Sequence, residues 1–155
     1  MSLIHVRIDD RLIHGQVAMI WTHSLGATRI MVVDDEASRS DLIKMSLKLA
    51  TPNGISLSVL TVQKAAERIK QGVYEGQRVL LIIKTPGKLI ELIQQGVSIT
   101  EANLGNLSSK PTELELSERL SLSSKDVTDC KVLMSKGILL TKRLLPTDEN
   151  QAIAL

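Results

Sequence analysis

Apolar positions recur along this chain with two alternating periods, one suited to strands and one to helices. Leu3 to Ile8 is rich in Ile and Val and predicts a first strand, followed by an irregular stretch from Asp9 to His14. Val17, Ile20, Trp21 and Leu25 then fall at helical spacing, and Gly26 closes that helix as a left-handed cap. Arg29 to Val33 is a short apolar strand running into Asp34, Asp35 and Glu36. The next helix carries Leu42, Met45 and Leu49 on one stripe and ends at Pro52-Asn53-Gly54. A strand over Ile55 to Leu60 and a helix over Val62 to Gln71, capped by Gly72, come next. Arg78 to Ile83 is an unbroken apolar run, the mark of a strand buried on both faces. Thr85-Pro86 is a strong helix start, and the helix it opens presents Leu89, Leu92 and Ile93 before stopping at Gly96. Val97 to Leu104 predicts a fifth strand. Leu114, Leu116, Leu120 and Leu122 predict a short, partly exposed strand pair within Lys110 to Leu122. Ser123-Ser124-Lys125-Asp126 is a capping box for a helix that ends at Gly137, and Ile138 to Leu144 is a last strand before Pro146.

Strands separated by helices of this length are βα units. They predict an α/β fold with a mostly parallel sheet and helices on both faces. The chain shows no internal repeat or linker and reads as one domain over residues 1–155. In open α/β sheets the chemistry gathers at the carboxyl ends of the strands, which directs attention to the loops after Ile8, Val33, Ile83 and Leu104.

Composition narrows the choice. Apolar residues make up 43% and charged residues 23%, so a packed core is expected rather than disorder. A formal charge of +2 gives no reason to expect nucleic acid as a partner. No apolar run is long enough to span a bilayer, and Met1 to Asp10 reads as a strand rather than a signal peptide. Cys130 is the single cysteine, which fits a reducing, cytoplasmic setting. Trp21 and Tyr74 are the only aromatics of the Phe/Trp/Tyr set, too few for a sugar-stacking platform. Three dispersed histidines and one cysteine do not suggest a metal site, and no cofactor is called for.

The first loop, Arg7-Ile8-Asp9-Asp10-Arg11-Leu12-Ile13-His14-Gly15-Gln16, carries the candidate chemistry. A neutral imidazole is a nucleophile near neutral pH, because its reference pKa is about 6.5. A phosphoryl group held on it through a P–N bond is readily passed on. Arg11 can present its planar fork to phosphoryl oxygens, and Arg7 could assist from the strand end. Gly15 lets backbone N–H groups at the helix start approach an anion. Asp9 or Asp10 could orient the imidazole or hold Arg11. Leu12, Ile13 and Met19 are candidates for an apolar docking patch near His14. His5 inside a strand, His23 inside a helix and Trp21 at helical spacing read as structural.

RIDDRLIHGQV resembles the phosphorylation-site motif of the IIB components of the mannose/fructose/sorbose family of the phosphoenolpyruvate-dependent sugar phosphotransferase system (PTS). Trp21, Val32 to Glu36, Lys84-Thr85-Pro86, Asn103 to Asn106 and Leu145 to Asp148 extend that resemblance over almost the whole chain. The resemblance implies a three-layer α/β/α sandwich with a six-stranded core in the order 3-2-4-1-5-6. It implies that His14 accepts a phosphoryl group on Nδ1, the pros nitrogen, with Arg11 as the adjacent stabilising residue; the loop chemistry itself adds Asp10, Arg7 and Gly15 as the candidate residues around it. The donor implied is a phosphohistidine on a IIA protein, and the recipient a sugar held by membrane IIC and IID proteins. Transient association with the inner membrane face also follows from the family, which leaves the oligomeric state open, a homodimer being one option. The chain departs from the family pattern at Asn106 to Glu113 and at Lys142-Arg143, in loops where partners would bear. Two other readings compete: a receiver-like domain phosphorylated on aspartate, suggested by Asp34-Asp35 and Lys84, and a non-catalytic regulatory module with the same fold.

Overall fold

A computed structural model describes residues 2–155. The parallel core consists of β1 (Leu3–Asp9), β2 (Arg29–Val33), β3 (Ser56–Leu60), β4 (Val79–Ile83) and β5 (Glu101–Ser108), joined by β8 (Leu139–Lys142). Two further strands, β6 (Leu114–Ser117) and β7 (Leu120–Leu122), form an antiparallel pair that joins the far end of β5 through β7. The order is β3-β2-β4-β1-β5, with β8 and β7 both paired to β5. Counting β8 as the sixth core strand gives the expected 3-2-4-1-5-6, with the small extra pair where the leucine alternation placed it. A two-residue strand, β9 (Gln151–Ala152), pairs antiparallel with β8 and was not expected.

Helices cover both faces. Helix α1 (Gly15–Leu25), the short α2 (Asp35–Ser38) and α3 (Asp41–Ala50) pack on one side, where Trp21, Ala37 and Leu47 meet Ile30, Val32, Leu80 and Ile82. Helices α4 (Val62–Lys70), α5 (Pro86–Gln94) and α6 (Ser124–Ser135) pack on the other. There Ala65, Leu89, Leu92 and Leu133 meet Val6, Ile8, Met31 and Leu81. Alternate residues of one strand therefore feed opposite layers, as pleating requires. All five residues of β4 are buried, which accounts for its unbroken apolar run.

Two expectations need correcting. The stripe Leu42, Met45 and Leu49 does not face the core: these side chains are 76%, 64% and 82% exposed. Leu47, with Ile43 beside it, faces the sheet instead, so the periodicity was right and the face wrong. The fifth strand begins at Glu101, not Val97, and runs on to Ser108. Val97 and Ile99 pack into the core from the segment before the ladder, so apolar alternation there marks burial without pairing. Asn103 to Asn106 thus lies inside β5 and is no loop.

Candidate functional site

Among the described residues, five of the six helices begin with a side-chain cap. Asp34, Ser40, Thr61, Thr85 and Ser123 each accept a hydrogen bond from a backbone N–H in the first turn. Helix α1 is the exception. Its N-cap is His14, whose side chain makes no capping bond, and its first turn carries no acidic residue. The first N–H groups of an eleven-residue helix are thus left without a side-chain acceptor, at the positive end of its dipole. His14 is exposed, and no described residue hydrogen-bonds its imidazole. Gly15 leaves open space beside it: a β-carbon there would stand 4.0 Å from the Ala50 carbonyl oxygen, its nearest neighbour.

The turn before His14 is built around Asp9, at the carboxyl end of β1. Arg11 donates from Nε to Asp9 Oδ1 at 3.0 Å and from Nη2 to Oδ2 at 2.9 Å, while its backbone N–H also donates to Oδ1 at 3.0 Å. This fork-to-carboxylate pairing raises the Arg11 pKa and fixes the direction of the guanidinium, which stays partly exposed. Leu12 closes the turn by donating its N–H to the Asp9 carbonyl at 3.0 Å, and does so in the left-handed region at φ 61°. A leucine rarely adopts that conformation.

The Asp10 carboxylate hydrogen-bonds neither His14 nor Arg11, contrary to the expectation for it. Its carboxylate accepts from Asn106 Nδ2 at 2.8 Å, from the Ser108 N–H at 2.8 Å and from Ser108 Oγ at 3.0 Å. It staples the loop to β5, and holding Arg11 falls to Asp9 instead. Arg7 is likewise not at the rim: it is 2% exposed. It lies on the α1 face of β1 with His5 and Asp9, donating from Nη1 to Asn103 Oδ1 at 2.8 Å and to the Arg143 carbonyl at 3.0 Å. Its Nε stands 3.5 Å from Asp9. Burial lowers the Arg7 pKa to about 10, with Asp9 pulling the other way. Arg7 therefore supports Asp9 from beneath and has no open approach to a bound anion.

A β-bulge makes room for this. Ile8 pairs with Leu104 and Asp9 with Asn106, so Gly105 is the extra residue of β5. A β-carbon on Gly105 would fall on the Arg7 guanidinium. Above Arg7 lies Trp21, fully buried, with the Arg7 and Arg143 guanidinium carbons each 5.0 Å from its ring and His5 stacked on it at 4.7 Å. Its indole N–H donates to the Leu144 carbonyl at 2.9 Å. Asn103, Asn106 and Gly105 are site residues that the sequence pattern does not single out. The signal available was two asparagines inside a strand pattern, where that residue is depleted.

Leu12 and Ile13, expected in a docking patch, are buried in the α1 layer; Met19 is 58% exposed, as that reading needed. The acidic pair of the receiver-like reading is also committed to structure. Asp34 caps α2, and Asp35 accepts from the Val62 N–H at 2.9 Å. Among the described residues no cluster of His, Cys, Asp and Glu could hold a metal ion, and no helix is long and apolar enough to cross a membrane.

Residues 3–154 match the family model for PTS system sorbose subfamily IIB components. The sorbose-specific EIIB component of Lacticaseibacillus casei is 31% identical over 99% of this chain and 93% of its own length. The mannose-specific EIIAB component of Escherichia coli K12 is 36% identical over 92% of this chain, which spans 44% of that longer protein. The crystal structure of the IIBSor domain of the sorbose permease from Klebsiella pneumoniae superimposes with a TM-score of 0.89 at 29% identity, covering 97% of this chain and 92% of that one. The chain belongs to the sorbose-subfamily IIB components of the sugar phosphotransferase system, a family of phosphocarrier phosphotransferases.

Proposed function

We propose that His14 is the phosphoryl carrier of this IIB component. The observation that carries this reading is the one uncapped helix N-terminus, fronted by an unpartnered imidazole and flanked by a guanidinium held in place. The Nδ1 lone pair of neutral His14 attacks phosphorus while the P–N bond to a donor imidazole breaks. The donor nitrogen keeps the electron pair and leaves as neutral imidazole. The other ring nitrogen of His14 retains its proton, so no net proton transfer is needed. Charge on the three phosphoryl oxygens falls on Arg11 and on the free N–H groups of α1. Onward transfer reverses the logic: a sugar hydroxyl oxygen attacks phosphorus, the P–N bond returns its pair to His14, and a base on the sugar-binding partner takes the hydroxyl proton.

The donor in this reading is a phosphohistidine on a IIA protein. The recipient is a sugar held by membrane IIC and IID proteins, so the chain works at the inner face of the membrane from the cytoplasm. In a reconstituted relay fed by phosphoenolpyruvate, mass spectrometry under alkaline conditions should place the phosphoryl group on His14, and His14→Gln should take none. Label retained by a folded His14→Gln protein would end the proposal.

A further inference from the structure

We propose that the exposed face of α3, formed by Leu42, Met45 and Leu49 and continued by Met19 of α1, seats the protein that delivers the phosphoryl group to His14. That protein would meet it with an apolar surface edged by carboxylates. The inference rests on the relay reading and names the docking chemistry of the same site.

The stripe lies at positions i, i+3 and i+7 of α3, so its three side chains form one row, each more than three-fifths exposed. A row of this kind with no intramolecular partner is a binding feature rather than scattered surface apolarity. Its place in the fold ties it to the site. The end of α3 abuts the start of α1, with the Ala50 carbonyl as the nearest neighbour to Gly15. Just past α3, an open groove of about 360 Å³ runs between Met19, Thr22 and His23 on one wall and Pro52, Asn53 and Ile55 on the other. The apolar row therefore runs along α3 to the helix that His14 caps.

The charges around the row choose among partners. Lys44 and Lys48 flank it on one side and exposed Arg39 precedes the helix, against Asp41 on α3 and exposed Glu36 on α2, so the rim keeps a positive excess. Such a rim complements an acidic surface and repels a basic one. Cytoplasmic loops of membrane proteins carry an excess of Lys and Arg, so the membrane subunits fit this face poorly, whereas an acidic soluble donor fits it well.

The test compares wild type with Met45→Asp, with the double variant Leu42→Ser/Leu49→Ser and with Lys48→Glu. All replace exposed side chains, and thermal melting confirms that each folds. Transfer to His14 is followed from the cognate phosphorylated IIA protein over a concentration series, and separately from phosphoramidate, a small donor that needs no docking face. The expected result is a rise of about tenfold or more in KM for phospho-IIA, with kcat within about twofold and phosphoramidate labelling unchanged. An unchanged KM in all three overturns the inference. If donor kinetics are unchanged while a wild-type dimer seen in sedimentation is lost in Met45→Asp, the face belongs to a second copy, which also overturns it. If wild type accepts label on His14 from neither donor, the relay reading fails first and takes this inference with it.

Discussion

At the scale of single residues the site is a division of labour between two arginines and two aspartates that look interchangeable in sequence. Arg11, partly exposed, forms a bidentate pair with the buried carboxylate of Asp9, and Arg7 lies buried beneath the same carboxylate. Asp10 turns away to β5. Arg11→Ala should therefore slow phosphoryl transfer to His14 by roughly 10²-fold, the usual cost of removing one preorganised donor to developing charge, and should also lower stability, because Asp9 stays buried with Arg7 as its remaining cation. Single-turnover transfer kinetics check this; wild-type rates would remove Arg11 from the mechanism. Asp9→Asn should do more harm. It frees Arg11 and also leaves Arg7 charged and buried without a carboxylate, which costs about 3–5 kcal/mol in such pairs. A urea midpoint equal to wild type would refute that role. The histidine and Arg11 were legible in the sequence because their chemistry is carried by residue type and spacing. The split between Asp9 and Asp10 was not, because it depends on a bulge at Gly105 that shifts which residue of β5 each aspartate faces.

At the scale of elements, the loop from Asp9 to His14 is held in a shape its sequence does not favour. Leu12 sits at φ 61°, a conformation costing about 1–3 kcal/mol for a residue with a β-carbon, yet its side chain is buried in the α1 layer. Leu12→Gly decides which effect is larger. Glycine relieves the backbone, but losing a buried leucine costs about 2–5 kcal/mol, so the variant should be less stable by about 1–3 kcal/mol. A more stable variant would show that backbone strain outweighs packing here. Fold legibility followed the same division. Elements with caps or long apolar runs, such as α5 behind Thr85-Pro86 and β4, fell where expected, because local chemistry fixes them. Helix α3 was found but turned to the wrong face. Its moment is set by three apolar residues that serve the outside of the molecule, and only Leu47 within it is fully buried.

At the scale of the whole molecule, the two faces of the sheet are not equivalent. The α4–α5–α6 side is closed by aliphatic side chains, whereas under α1 strand β1 presents His5, Arg7 and Asp9 to Trp21 and Arg143. Stability must then depend on the charge state of that layer. Burial first, then Arg7 and Arg143, lowers the His5 pKa from 6.5 to about 4, with Asn103 opposing weakly. Between those pH values the unfolded chain binds a proton at this position and the folded chain does not. Acidification over that window thus favours unfolding; well above pH 6.5 His5 contributes no slope, and well below pH 4 its effect levels off. His5→Phe keeps a ring against Trp21 and removes the titration. The difference in unfolding free energy between wild type and His5→Phe should be flat from pH 7 to 8. It should then move in the variant's favour by on the order of 2 kcal/mol as pH falls to about 4. Urea unfolding at half-unit pH steps measures this directly, and parallel curves for the two proteins across the acid range would show that the polar layer under α1 takes up its proton elsewhere.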